Sequence, residues 1–199
     1  MEMPISKKSL EAPLKTYVYQ VMSGRERTML GQAVRLLELE PDEVIFVPQT
    51  ERKRREEGKW ITTTEILFPG YLFVTTRDVE RITEGLRPII GWKKLLKTGE
   101  DIVPLTDAEE LLLGRLMNCD HLISSSVAYK EGDRVVIIDG PMTNSPGEIT
   151  YIDRHKRFCM VKVQMFQREI TVKLGLEVLS SREEAEQKVE AEKAQKLST

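Results

Sequence analysis

The strongest constraint on the fold lies in residues 132–152, where β-branched runs alternate with turn sequences. The run at 135–138 ends in Asp139-Gly140-Pro141, and a strand stops there because proline lacks the N–H that a ladder needs. A second turn, Pro146-Gly147, precedes another strand-like run at 148–152. Two more alternating segments follow, at 158–166 and 168–173. Short strands separated by turns every ~8–12 residues indicate a small β-barrel.

The first half of the chain shows a different pattern, with helical and strand periods mixed. Alternation at 17–22 predicts a strand, and apolar residues at helical spacing over 26–39 predict a helix with one buried face. Thr106 and Glu109 form a capping box that opens another helix. The predicted class is therefore α+β, with an α/β sandwich on an antiparallel sheet before the barrel.

These patterns divide the 199 residues into four parts. Residues 16–117 form the first domain, and 118–127, with three consecutive serines, form a flexible linker. Residues 128–180 form the barrel. The tail at 181–199 is polar, and we expect a frayed helix or disorder because it cannot bury an apolar face.

Composition narrows the class of protein. The formal net charge is −2, so any contact with nucleic acid must come from a local patch and not from bulk charge. No apolar run approaches the ~20 residues of a membrane span, and the N-terminus lacks the apolar core of a signal peptide. We therefore expect a cytoplasmic protein without membrane contact.

The sequence contains no motif that indicates a catalytic or a metal site. The chain has two histidines, His121 and His155, and neither stands in a nucleophile motif. Cys119 and Cys159 lack metal-ligand spacing and are expected to be reduced. We predict a protein that is not an enzyme and needs no cofactor or metal.

Four segments, in order along the chain, resemble the NusG family of transcription elongation factors. The segment from Glu131-Gly132-Asp133 through Asp139-Gly140-Pro141 to Gly147 resembles the family's KOW motif. Phe68-Pro69-Gly70-Tyr71 is similar to the signature of its N-terminal NGN domain. Residues 17–20 and 104–110 are similar to that domain's first strand and last helix. The resemblance implies an NGN domain followed by an SH3-like KOW barrel, acting as a monomer.

The resemblance also implies that the NGN domain docks on the clamp helices of RNA polymerase. In this sequence it carries that role to seven mostly apolar or aromatic residues: Tyr17, Tyr19, Phe68, Pro69, Tyr71, Ile90 and Trp92. We expect an exposed groove, because buried aromatic anchors supply most of the free energy when a partner helix docks. Core packing is the competing interpretation for these rings.

Two basic clusters are candidates for nucleic-acid binding. The first is the tip of a predicted hairpin or loop, Arg52-Lys53-Arg54-Arg55, where four adjacent cations can hold phosphates. The second is the loop Arg154-His155-Lys156-Arg157, which could join Lys162, Arg168 and Lys173 as one positive face of the barrel. For both, a solvated polar loop is the alternative.

Phe166 resembles the phenylalanine of the family's Phe-Gly-Arg loop, which binds the termination factor Rho or a ribosomal protein. Gln167 here replaces the glycine, and Met142 replaces the usual phenylalanine after Gly-Pro. These departures resemble the specialised LoaP type, which implies antitermination that depends on a hairpin in the nascent RNA. A housekeeping NusG coupled to Rho and the ribosome, and a ribosome-associated KOW protein that binds RNA, remain the alternatives.

Overall fold

A computed structural model describes residues 12–89, 92–95, 97–98, 101–144 and 146–197, and side chains over 12–89, 103–143 and 146–195. Within these residues the helices are α1 (Glu26–Leu36), α2 (Val79–Leu86), α3 (Asp107–Leu116) and α4 (Arg182–Leu197). The strands of the first half are β1 (Lys15–Val21), β2 (Val44–Phe46), β3 (Gln49–Glu56), β4 (Lys59–Ile66), β5 (Tyr71–Thr76), β6 (Trp92–Leu95), β7 (Lys97–Thr98) and β8 (Asp101–Ile102). Those of the second half are β9 (Leu122–Ile123), β10 (Ser126–Glu131), β11 (Arg134–Asp139), β12 (Glu148–Asp153), β13 (Phe158–Met165) and β14 (Arg168–Leu179).

The chain divides into two compact units. The first comprises Met1–Pro48 and Phe68–Glu110, and the second comprises Gln49–Leu67 and Leu111–Thr199. The β3–β4 hairpin therefore groups with the C-terminal residues, although the sequence predicts it within the 16–117 domain. The physical reason is that several of its side chains pair with residues of the C-terminal part of that unit, as described below.

The first unit is built on an antiparallel sheet in the order β2-β5-β1-β6. In the central pair Val18 lies opposite Phe73, and both are buried. Helix α2 begins where the Asp78 carboxylate accepts a hydrogen bond from the Arg81 N–H at 2.9 Å. Helix α3 begins at the predicted capping box, in which the Glu109 N–H donates to the Thr106 hydroxyl at 3.3 Å. Reciprocal bonds of this kind satisfy N–H groups that a helix start leaves open.

The second unit holds two sheets, one of three strands in the order β4-β3-β9 and one of five in the order β11-β10-β14-β13-β12. Strand β14 is long, and it pairs antiparallel with β13 up to Gly175 and parallel with β10 from Leu176. One strand thereby joins two pairs of the five-stranded sheet. The predicted α+β class, with an antiparallel sheet followed by a five-stranded β domain, is confirmed.

The predicted linker and the polar tail both form regular structure, and a helix was one of the two states expected of the tail. The predicted linker contains β9 and the start of β10, because the Gln49 N–H donates to the His121 carbonyl at 3.0 Å and extends the hairpin sheet. The tail forms α4, and the expectation that it buries no face is wrong. Its fully buried Ala185 packs with Val127 and Tyr129, and a small side chain lets the helix approach the sheet closely.

Candidate functional site

The Phe68-Pro69-Gly70-Tyr71 turn of the first unit is held by a buried carboxylate. The Gly70 N–H donates to Oε1 of Glu26 at 2.7 Å, and the Val21 N–H donates to the Gly70 carbonyl at 2.8 Å. These bonds anchor the turn to α1 and β1. Pro69 is exposed and Tyr71 is half-buried at its tip.

Two of the seven residues predicted for polymerase contact lie in the core, which corrects the expected exposed groove. Tyr19 is 0% exposed, its hydroxyl bonds that of Thr83 at 2.8 Å, and burial raises its pKa to about 12. Phe68 is 5% exposed and its ring lies 5.7 Å from that of Phe73. An alternating aromatic pattern suits a buried and an exposed strand face equally, so the sequence alone could not separate the two.

The remaining rings do not share one face of the sheet. In the β1–β5 register Tyr19 is opposite Leu72, and Gln20 is opposite Tyr71. Opposite residues of an antiparallel pair share a face and successive residues alternate, so Tyr71 projects away from the face that carries Tyr17 and Tyr19. Ile90 and the side chain of Trp92 lie outside the described residues.

The four cations of the β3–β4 hairpin differ in exposure, and only two of them face solvent. Arg52 is 4% exposed, with its guanidinium 4.7 Å from the Phe158 ring centre, and Lys53 donates to Glu177 at 2.7 Å and to Glu192 at 3.1 Å. Arg54 and Arg55 are exposed. The predicted tip is therefore divided: two cations are bound within the second unit and two are accessible to a ligand.

Glu177 is the centre of an ion-pair network that sequence inspection did not reveal. Its carboxylate is 4% exposed and meets Lys53 Nζ at 2.7 Å, Arg157 Nη1 at 2.8 Å and Lys188 Nζ at 3.3 Å. Burial alone would raise the pKa of Glu177, but the hydrogen bond from Lys53 and the three positive charges outweigh burial and lower the pKa. The network joins the hairpin, the five-stranded sheet and α4.

The second basic cluster is also divided by this network. Arg154, His155 and Lys156 are exposed in the β12–β13 turn, whereas Arg157 adopts a φ of +54° and stacks 3.7 Å from the Trp60 ring centre. A left-handed conformation is uncommon for a residue other than glycine. It turns Arg157 toward Glu177 and away from its basic neighbours.

The three other predicted cations of the sheet lie in separate settings. Lys162 pairs with Glu169 at 2.9 Å, and Lys173 lies 4.2 Å from the Phe158 ring centre. Arg168 is exposed at the end of the β13–β14 turn. Burial and the charges of Arg52, Lys156 and Arg54 lower the pKa of Lys173, while Glu65 opposes that shift.

Comparison of the amino-acid sequence with known proteins identifies the family. A family model described as "NusG: Transcription termination factor nusG" matches residues 15–112. "Transcription termination/antitermination protein NusG" of Thermus thermophilus is 31% identical over 145 residues, covering 65% of this chain and 76% of that protein. The chain belongs to the NusG family.

Two further matches are to proteins that also carry the NusG name. The "Transcription termination/antitermination protein NusG" of Bacillus subtilis is 28% identical over 165 residues, which cover 79% of this chain and 93% of the relative. A structure titled "Domain interaction in Thermotoga maritima NusG" is 23% identical with a TM-score of 0.47, covering 82% of this chain and 94% of that one.

The loop that resembles the NusG Phe-Gly-Arg motif closes the β13–β14 hairpin. Phe166 and Gln167 have φ values of +57° and +58°, between the paired residues Met165 and Arg168. Two central residues with positive φ are typical of a type I′ turn, in which glycine is favoured. Gln167 thus adopts the backbone conformation that the glycine of the family motif would adopt with less strain.

Replacing Gln167 with glycine is expected to raise the free energy of unfolding by about 0.5–1 kcal/mol, because it removes the left-handed strain of a side chain with a Cβ. Thermal and urea unfolding of the full chain measure the change. Gln164→Gly, within β13, is the matched control and should lower stability by a similar amount. A destabilised Gln167→Gly variant would contradict the assigned turn.

Metal and membrane sites were sought in the part of the chain that the structure describes. There, no three histidine, cysteine or acidic side chains are grouped so that they could bind a metal ion. Among the helices of those residues, none is both long and apolar enough to cross a membrane.

Proposed function

We propose that this chain acts in transcription elongation and antitermination by binding RNA polymerase with its first unit and RNA with its second. Membership of the NusG family carries the conclusion: the chain is a NusG-type transcription termination/antitermination factor. We place its action in the cytoplasm as a non-enzymatic monomer. A ligand that binds one state of the polymerase more tightly shifts the population toward that state, so suppression of pausing needs no catalytic group.

For the polymerase contact we favour the surface around the Phe68–Tyr71 turn. Pro69 and Tyr71 are accessible there, and the neighbouring Phe68 is buried with its ring against that of Phe73. The bonds from Glu26 and Val21 hold the turn rigid before a partner arrives, which reduces the ordering cost of binding. Tyr17 projects from the other face of the sheet and belongs to this surface only if the partner wraps the sheet edge.

Tyr71→Ala is expected to reduce capture of RNA polymerase by the tagged full chain about tenfold, or about 1.4 kcal/mol, because it removes an aromatic anchor. The measurement is a titration of purified polymerase against immobilised wild type and variant. Tyr17→Ala, on the opposite sheet face, is the matched control and should bind nearly as well as wild type.

The reverse result, with only Tyr17→Ala impaired, would move the docking surface to the other face. Unchanged capture by both variants would remove the aromatic residues from the contact altogether. Retention of ribosomes without polymerase would favour the alternative of a ribosome-associated KOW protein, which does not require the turn at Phe68–Tyr71.

For the RNA contact we favour the accessible members of the two basic clusters, with Arg54, Arg154 and Lys156 foremost. These three side chains do not pair with Glu177, whose ion pairs are formed with Lys53 and Arg157 instead. Cations placed in this way hold phosphates through charge, with an affinity that falls as salt rises.

Within the family we favour a specialised factor of the LoaP type over a housekeeping NusG. Support comes from two departures from the family pattern, Gln167 in place of a glycine and Met142 in place of a phenylalanine. The test is transcription in vitro on a terminator template with and without an upstream RNA hairpin. Readthrough that requires the hairpin would support the specialised role, and pause modulation without it would support the housekeeping role with Rho or a ribosomal protein at Phe166.

A further inference from the structure

Tyr151 is an exposed aromatic residue that the sequence patterns do not single out. It is 54% exposed on β12, opposite Met160 of β13, which in turn is opposite Lys173 of β14. Residues opposite one another in an antiparallel sheet project from the same face. Tyr151 and Lys173 therefore flank Met160 on one surface of the five-stranded sheet.

The Tyr151 ring lies next to the ring of Phe158, which is itself in contact with two cationic side chains. Its centroid lies 6.0 Å from that of Phe158, with the planes tilted by 51°. The charged groups of Lys173 and Arg52 lie 4.2 Å and 4.7 Å from the Phe158 ring centre. Phe158 is buried, so the surface that remains open to a ligand is the Tyr151 ring with positive charge beside it.

Positive charge gathers around Lys173, the neighbour of Tyr151 across Met160, from three elements. Arg52 and Arg54 come from β3, Lys156 from the β12–β13 turn and Lys173 from β14, and the acidic groups that face them are Glu65 and Asp153. In the part of the chain that the structure describes, Nε and Nη1 of Arg52 are buried without a hydrogen-bond acceptor. Its ion pair with Glu65 spans 3.8 Å, so the neutralisation is incomplete.

A lone exposed tyrosine needs no explanation, but an exposed ring beside cations that are only partly neutralised matches how single-stranded nucleic acid is bound. Bases stack on the ring and phosphates follow the charge. Bases inside a duplex are already stacked and paired, so a protruding ring discriminates against them.

We propose that Tyr151 stacks an unpaired base of single-stranded RNA while Lys173, Lys156 and Arg54 hold the adjacent phosphates. The inference rests on the proposed RNA contact of the second unit and names its ligand: an unpaired segment, such as a hairpin loop, and not a helical stem.

The test is fluorescence anisotropy of the full chain with labelled single-stranded oligouridine. Tyr151→Ala is expected to weaken binding by at least fivefold, whereas Tyr151→Phe, which keeps the ring, should bind like wild type. The logarithm of the binding constant falls as the logarithm of the salt concentration rises, and Lys173→Gln should make this slope less steep by about 0.7. Leu111→Ala removes an equally exposed apolar side chain and serves as the unaffected control.

Several results would overturn the proposal. Binding by Tyr151→Ala within about twofold of wild type would exclude stacking on this ring. Equal competition by an RNA duplex would show that phosphates alone are recognised. If wild type binds neither RNA but still captures RNA polymerase, both the stacking site and the RNA contact fail while the polymerase contact stands.

Discussion

Replacing Glu177 with glutamine is expected to lower the free energy of unfolding by about 3 kcal/mol. The amide preserves the volume of the side chain but leaves Lys53, Arg157 and Lys188 gathered around a neutral group. Removing one partner of a buried ion pair costs about 3–5 kcal/mol, because the remaining charges stay desolvated. Urea unfolding followed by circular dichroism at neutral pH measures the loss.

The matched control is Glu169→Gln, which changes the same residue type on the same strand. Glu169 pairs with Lys162 at the surface, so its loss should change stability by less than about 1 kcal/mol. Equal losses in the two variants would show that burial of Glu177 contributes nothing beyond a surface pair.

Acid titration separates the carboxylate charge from its packing. Because the folded protein lowers the pKa of Glu177 from the ordinary 4.5, the unfolded chain takes up the proton first as pH falls. The stabilisation is complete above the unfolded pKa and disappears as pH falls through the folded one. The gap between wild type and Glu177→Gln should therefore narrow below about pH 4.5, and a gap that stays constant would contradict the charge as its cause.

Local patterns were sufficient to predict much of the fold. The capping box at Thr106 and Glu109 forms as expected, and the turns at 139–141 and 146–147 border the strands that they predict. Both are short-range features, in which a side chain acts on backbone within a few residues. Helix α4 was harder to predict, because its packing depends on one alanine that fits against residues far back along the chain.

The candidate site was less predictable, because it depends on pairings between distant residues. Period-two alternation places Arg52 and Lys53 on opposite faces of the hairpin, but nothing near them indicates that Glu177 neutralises one of them. Arg157 likewise points away from its basic neighbours because its backbone is left-handed, and no local motif predicts that conformation. Sequence clusters of like charge therefore overestimated the cations that are available to a ligand.

At Gly175 the backbone of the five-stranded sheet lies close to the hairpin. A Cβ added there would lie 2.5 Å from the Glu51 carbonyl oxygen and 2.8 Å from the Ser125 hydroxyl oxygen. The first of these atoms belongs to backbone, which cannot swing aside as the end of a flexible side chain can. Two residues further along both strands, Glu177 pairs with Lys53, so the steric contact and the ion pair hold the same edge of the hairpin.

Gly175→Val is accordingly expected to lower the free energy of unfolding by about 3 kcal/mol, because its side chain overpacks a site that has no room for a Cβ. The control is Gly114→Ala in α3, where a Cβ meets open space and should stabilise the helix by about 0.5–1 kcal/mol. Once the hairpin has been displaced, the Glu177 network has already lost Lys53. Combining Gly175→Val with Glu177→Gln should then cost less than the sum of the two changes, and strict additivity would show that they act on separate contacts.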